Sequence, residues 1–517
     1  MRVAICLAVT TALTLLPPAV HAQNTPLNSP ELATPHFGAY GLDLSGMDRS
    51  VKPGDDFFDY VNGKAQAALV IPADRSSAGV NEDLEDLSEK RSRAIVENLA
   101  ARPDLSGDDA KIAALYNAMM NADAAEKLDA APLKPLLARI AAIASRDEMS
   151  AYMGETAGDF GAGVFGTYIA ADAKNPKLNV LYAGQAGLGL PDRDYYLEPA
   201  YADKLKAYRT YIARMLGMAG YPDPDGAAAA IVAFETRIAK VSWTRAEQRD
   251  PIAAYNPMRE ADLAAFAPGF CWADYFKAAG LDKASMVVVG EKSAFPKIAQ
   301  IYAATPLATL KAWQAFKTVE QAAPYLSQRF VDAQWDFRSR ALRGASAQRP
   351  RWKRAVGLVE DELGMALGRD YVALYFPPES KAQVREIVGN FQTALKARIE
   401  NVSWMSPQTK AKALEKLAKM NAKIGYPDKW RDYGALSVTA DDLFGDVRRA
   451  ARFDWNYQLS KLDKPVDPLE WDITPQTVNA YYDPTRNEIV LPAAELQPPF
   501  FDPKADMAVN YGGIGAS

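Results

Sequence analysis

The residues with the clearest chemical use lie near the C-terminus, in Val478-Asn479-Ala480-Tyr481-Tyr482. This run alternates and is rich in β-formers, and Glu488 to Leu491 alternates again. Asp483-Pro484-Thr485-Arg486-Asn487 between them is turn chemistry, so the spacing predicts a hairpin. An exposed edge strand can offer backbone hydrogen bonds to an extended peptide, while pockets read alternate side chains. Asn479 would add a side-chain amide to that pairing. Without further context, a purely structural hairpin is the commoner meaning of such a pattern.

Other chemistry is sparse. The chain has two histidines, His21 and His36. His36, alone in a Pro-flanked segment, reads as a surface residue, so no Ser-His-Asp or Cys-His arrangement is expected. The two cysteines, Cys6 and Cys271, cannot form a disulfide framework, and Cys271 reads as a small buried apolar residue. A His/Cys zinc site cannot be assembled from such a set without unusual carboxylate support. There is no phosphate-cradling glycine loop and no nucleophile elbow, and Gly513-x-Gly515 is too little for a dinucleotide fingerprint. Carboxylate pairs such as Asp55-Asp56 could serve acid–base work but read equally well as surface charge.

Two charge clusters have rival meanings. Residues 338–354 are basic around Trp352, which fits either a nucleic-acid patch or a solvated turn between helices. A net charge of −5 favours the second, giving no global attraction for nucleic acid or anionic membranes. Residues 81–89 are acidic but lack the spaced ligands and glycine of a calcium loop. A helix N-terminal turn favoured by the dipole is the better reading.

The elements that must position these residues are mostly helical. Helical spacing runs from about 81 to 145, broken at Pro103 and Pro132, and dominates again from 202 to 422. Val384, Ile387, Val388, Phe391, Leu395, Ile399 and Val402 recur at three and four and predict one long helix. Ser406 and Pro407 read as N-cap and first position of another, with Leu414, Leu417 and Met420 on its buried side. Runs 163–169 and 178–182 predict strands of a hairpin turning at 172–176. The length of 517 residues implies two or more domains. Arg2, the apolar run 3–16 and Val20-His21-Ala22 read as a secretory signal, too short to span a bilayer. The mature chain is therefore expected to be exported and soluble.

In order along the chain, several segments resemble the neprilysin / endothelin-converting-enzyme family of zinc metallopeptidases. They include Val51-Lys52-Pro53-Gly54-Asp55-Asp56-Phe57-Phe58, Gly189-Leu190-Pro191-Asp192-Arg193-Asp194-Tyr195-Tyr196, Trp404-Met405-Ser406 and Ile424-Gly425-Tyr426-Pro427-Asp428-Lys429-Trp430. The Asn479-Ala480-Tyr481 run completes the set, and Ala65 departs from it, standing where the family usually has Trp. The resemblance implies a helical domain closing over a thermolysin-like catalytic domain, with oligopeptides admitted between them. It implies Asn479 as side-chain partner, Ala480 as main-chain partner and Tyr481 as neighbouring strand position of a bound peptide. It also implies zinc held by a H-E-x-x-H helix that the glycine-rich approach 510–516 would enter, beyond Ser517.

The expected fold is mainly α with small β-sheets: a large helical domain plus the incomplete start of an α+β catalytic domain. The expected division is a signal peptide at 1–22, a flexible lead-in at 23–40, the helical domain at 41–460, a linker at 461–477 and the catalytic start at 478–517. The expected function is a zinc metalloendopeptidase of oligopeptides, with no catalytic or metal residue and no bound zinc in this chain, which would be a fragment or truncated product inactive alone. The alternatives are a non-catalytic peptide-binding or scaffolding protein, or a decayed reading frame. No nucleic-acid or membrane partner is expected after signal cleavage.

Overall fold

The computed structural model describes residues 25–38 and 40–517, so the expected signal peptide lies outside the described residues. The architecture is mainly helical with two small sheets. No helix among the described residues is long and apolar enough to cross a membrane.

α1 (Phe57–Ala68) is capped by Asp56, whose side chain accepts from the Asp59 N–H, and it buries no residue. α2 (Val80–Ala100) buries Leu84, Arg91, Ile95 and Leu99 at helical spacing, so one face meets the core. α3 (Gly107–Met120) packs against it through Ile112, Leu115, Tyr116 and Met119. The predicted hairpin forms from β1 (Phe165–Ala171) and β2 (Asn179–Gln185), in antiparallel register from Phe165 opposite Gln185 to Ala171 opposite Asn179. α4 (Ala202–Met218) and α5 (Pro224–Val241) follow, then β3 (Asn256–Met258) and β4 (Val287–Val289), which complete a sheet of order β1-β2-β4-β3.

α6 (Leu307–Ala322) is buried nearly all round, including Gln314, Lys317 and Glu320 beside Leu310, Trp313 and Phe316. A helix so placed must satisfy its polar groups internally. Lys317 Nζ lies 3.2 Å from Glu235 Oε1 of α5. That carboxylate also accepts from the Tyr196 hydroxyl at 2.6 Å and Trp313 Nε1 at 2.9 Å. Burial, then the Glu235 charge, hold the Tyr196 and Tyr208 hydroxyls well above the ordinary phenol range.

α7 (Arg351–Tyr375) runs against α2 and α3 and buries Val356, Val359, Leu363, Leu367 and Tyr371. It kinks at Leu363 (φ −128°, ψ 22°), directly after Glu360-Asp361-Glu362. The Gln476 side chain takes the carbonyl of Gly364 at 3.0 Å, an intrusion of the kind that bends helices. A Cβ at Gly364 would stand 2.7 Å from Thr474 Cγ2, so only glycine admits this approach. α8 (Pro378–Asn401) buries Ser380, Val384, Ile387 and Val388 but leaves Phe391 and Leu395 exposed, so only half of its apolar stripe meets the core. α9 (Pro407–Ala418) has the expected Ser406 cap, accepting from the Thr409 N–H. Nothing in it is fully buried, and Leu414 and Leu417 are only half-covered. β5 (Asn421–Gly425) and α10 (Leu443–Lys461) lead to β6 (Tyr481–Asp483), β7 (Glu488–Pro492) and the short α11 (Met507–Gly513).

Packing bears on three expectations. The described part of the lead-in is docked: Leu32 is buried, Arg91 Nε donates to its carbonyl at 2.9 Å, and Thr34 Oγ1 donates to Gln497 at 3.3 Å. The 461–477 segment is held along the chain before it: Asp463 N–H bonds to Asn179 O and Val466 N–H to Lys177 O at the β1–β2 hairpin, while Gln476 is buried. Cys271 is half-buried, not apolar in its contacts: its thiol donates to Asp274 Oδ2 at 2.9 Å. Burial, aided by Asp274, pushes the thiol up to about 11.

Candidate functional site: the β6 edge strand

β7 is the central strand of the second sheet, pairing parallel with β5 and antiparallel with β6. Its neighbours fix it firmly. Glu488 on β7 lies 2.7 Å from Lys423 Nζ on β5, and both side chains are almost fully buried. Arg486 joins the same carboxylate at 3.3 Å and pairs with Asp472. The turn is the expected one: Asp483 accepts from the Thr485 N–H at 2.7 Å, and Asn487 takes φ 53°, a left-handed position that Asn tolerates.

The consequence is an edge. Order β5-β7-β6 leaves the outer side of β6 without a strand among the described residues. Tyr481 pairs with Val490 and Tyr482 with Ile489, so ladder pairing begins at Tyr481, later than the Val478 start expected from alternation. Asn479 and Ala480 precede it as an unpaired extension, with Asn479 exposed and Ala480 half-buried. Asn479 Oδ1 accepts from the Ala480 N–H at 2.8 Å, so the amide oxygen is folded back on its own chain. The three predicted site residues are therefore consecutive along one open edge. Tyr481 hydroxyl is buried without a hydrogen-bond partner among the described residues, and burial, then Asp472 and Glu488, raise its pKa. Tyr482 is exposed and donates to Asn487 Oδ1 at 2.9 Å.

The segment that leads toward β6 borders a cleft of about 600 Å³, lined by Glu360, Asp361, Trp430, Tyr457, Trp471 and Asp472 among others. Sequence reasoning missed it, since its walls come from α7, α10 and the segment before β6. Glu360 is partly open to water yet densely surrounded, and burial pushes it up to about 7, with Glu89 and Asp361 adding. Glu362 is pushed up to about 8, again first by burial.

The remaining candidates are structural. Asp56 caps α1. The acidic and basic clusters neutralise each other: Glu89 pairs with Arg349 and, at 3.2 Å, with Lys353, while Arg338 pairs with Glu320. Opposite sign was the available signal for that pairing. His36 is half-exposed, but its Nδ1 lies 2.6 Å from the buried Asp502 carboxylate, so it is not a free surface residue. Among the described residues, no group of three or more His, Cys, Asp and Glu side chains is placed to hold a metal ion.

Two sequence profiles of Peptidase family M13 match the chain, over residues 53–427 and 479–517. Human endothelin-converting enzyme 1 is 30% identical over 493 residues, covering 91% of this chain and 64% of that protein. The neutral endopeptidase of Lactobacillus helveticus is 31% identical over 488 residues, covering 92% of this chain and 74% of its own length. The crystal structure of Mycobacterium tuberculosis zinc metalloprotease Zmp1 in complex with inhibitor superposes with a TM-score of 0.88 at 39% identity, covering 94% of this chain and 74% of that one. The chain thus spans less than two thirds of human endothelin-converting enzyme 1.

Proposed function

Since the chain belongs to peptidase family M13, we propose that it supplies the helical domain and peptide-pairing strand of an exported zinc metalloendopeptidase acting on oligopeptides. The observation that carries this reading is β6, an edge left open beside Asn479 and Ala480. An extended peptide laid along it would gain main-chain hydrogen bonds from Ala480 and from alternate residues whose backbone groups face the open side. The Asn479 amide would exchange its internal bond for one to the peptide. That exchange releases the Ala480 N–H, which the peptide backbone would then have to accept from.

Among the described residues the donor set does not fit the family's zinc. What this chain's residues do, on this reading, is bind a peptide and hold it extended. The alternative, a non-catalytic peptide-binding or scaffolding protein, uses the same strand. One experiment tests the strand on which both readings rest: the 517-residue chain is incubated with labelled oligopeptides, with and without added zinc, following binding by anisotropy and cleavage by mass spectrometry. Binding that weakens in Asn479→Ala without cleavage is the expected result. Binding indifferent to Asn479→Ala would remove the strand assignment, and cleavage by the chain alone would remove the view that it only binds.

A further inference from the structure

The segment between β7 and α11 is where the early and late parts of the chain meet. Asp502 lies in it, buried, and its main chain is clamped to Asn510 of α11, which is buried as well. The Asp502 N–H donates to Asn510 Oδ1 at 2.9 Å, and Asn510 Nδ2 donates to Asp502 O at 2.8 Å. A Cβ at Gly513 would stand 2.5 Å from Phe500 O, so α11 lies directly on this segment. The Asp502 carboxylate uses one oxygen locally, accepting from the Lys504 N–H at 2.8 Å. Its other oxygen takes His36 Nδ1 at 2.6 Å.

His36 sits near the end of the docked lead-in, residues 25–38, and is the one histidine among the described residues. The other anchors of this strap are uncharged on the strap's side. Arg91 donates to Leu32 O and Thr34 Oγ1, Asn98 to Thr25 O, and the Tyr375 hydroxyl to Leu27 O, while Thr34 donates to Gln497. The strap's own acid, Glu31, accepts from Ser29. The ionisable groups on the elements packed against the strap are Arg91 of α2, Tyr371 and Tyr375 of α7, and Glu495, Asp502, Lys504 and Asp506 between β7 and α11. Asp370 of α7, pushed up to about 6 by burial, is turned toward Asp109 and Asp108 of α3 instead. Histidine is the side-chain type whose charge ordinarily changes between about pH 5 and 8.

We infer that residues 25–38 form a proton-controlled latch on α11. With His36 charged, the strap is held to the buried Asp502 carboxylate, and the Asn510 clamp passes that hold to α11. An ion pair at an almost buried carboxylate is weakly screened, so the charge counts for more here than on the surface. When the imidazole loses its proton, a single N–H bond to the carboxylate is left and the attraction between opposite charges is gone. The latch is therefore tight at low pH and loosens as pH rises, the direction for a base with an acidic partner. It does not rest on peptide pairing at β6.

The test is hydrogen exchange of the full 517-residue chain at about pH 5.5 and about pH 8.5, read by mass on peptides covering 25–38 and 505–517. Rates are corrected for the intrinsic pH dependence of exchange. They are taken relative to the 165–185 hairpin, which follows whole-chain unfolding and so removes the titration of α7. Both segments are expected to exchange roughly fivefold faster at the higher pH. His36→Gln should give the faster rate at both pH values, and Glu495→Gln should keep the difference. Equal exchange at the two pH values in the unsubstituted chain overturns the latch, and so does a difference that survives His36→Gln. A response of 25–38 that leaves 505–517 unchanged overturns the link to α11.

Discussion

Arg91 Nη1 donates to Gln497 Oε1 at 3.0 Å, tying a helix of the N-terminal half to the chain that follows the β6–β7 hairpin. Arg91 is fully buried, yet its partners are neutral: Leu32 O, Thr34 Oγ1, the Tyr371 hydroxyl and Gln497, with the Tyr375 ring 4.5 Å below. Replacing it strands several buried acceptors at once. Arg91→Met is expected to lower stability by roughly 3 kcal/mol, and Gln497→Ala by about 1 kcal/mol. Urea unfolding of the two variants checks the order.

For peptide binding, Asn479→Ala should cost roughly 1–3 kcal/mol, the loss of one polar partner at a partly dehydrated edge. The effect should be similar across peptides of different sequence, because an amide paired with backbone reads no side chain. A loss confined to one peptide would assign Asn479 to side-chain recognition instead.

The ion pair of Lys423 with Glu488 locks β5 to β7 almost without solvent. Lys423→Met alone should destabilise by about 3–5 kcal/mol, since it leaves a buried carboxylate without its nearest cation. Adding Glu488→Leu should recover a large part of that loss. A double-mutant cycle measured by denaturant unfolding gives the coupling, and additive single effects would contradict it.

Stability should depend on pH through α7. Burial lifts Glu360 to about 7 and Glu362 to about 8 in the folded chain, both from 4.5. In this window the folded chain retains protons that the unfolded chain has lost. Stability contributed by these groups therefore falls as pH rises from about 4.5 to about 8. Glu362→Gln should raise Tm at about pH 8 and leave it nearly unchanged at about pH 4. Calorimetry at the two pH values checks the sign.

What the sequence disclosed was local. The β6–β7 hairpin, the Ser406 cap and the 165–185 hairpin each announce themselves through alternation or turn residues a few positions apart. The edge character of β6 was one reading of the alternation and was favoured only by the family resemblance, because it depends on β5 pairing with β7 from across α10. Arg91 carries no sequence signal of burial, and only its contacts with Leu32 and Gln497 reveal it. The cleft bordered by the segment before β6 escaped for the same reason. Its carboxylates sit in an ordinary charged stretch of α7, and the walls that enclose them come from distant parts of the chain.

The docking of residues 25–38 also sets an order on how the chain can mature. Thr34 meets Gln497 across a separation of 463 residues, and His36 meets Asp502 across 466. During synthesis at roughly 5–20 residues per second, the early segment waits on the order of tens of seconds for its partners. Until then Leu32 and Arg91 have no complete site. The N-terminal strap is thus a late fastening, and the long-range closure it makes belongs to the slow, high-contact-order part of folding.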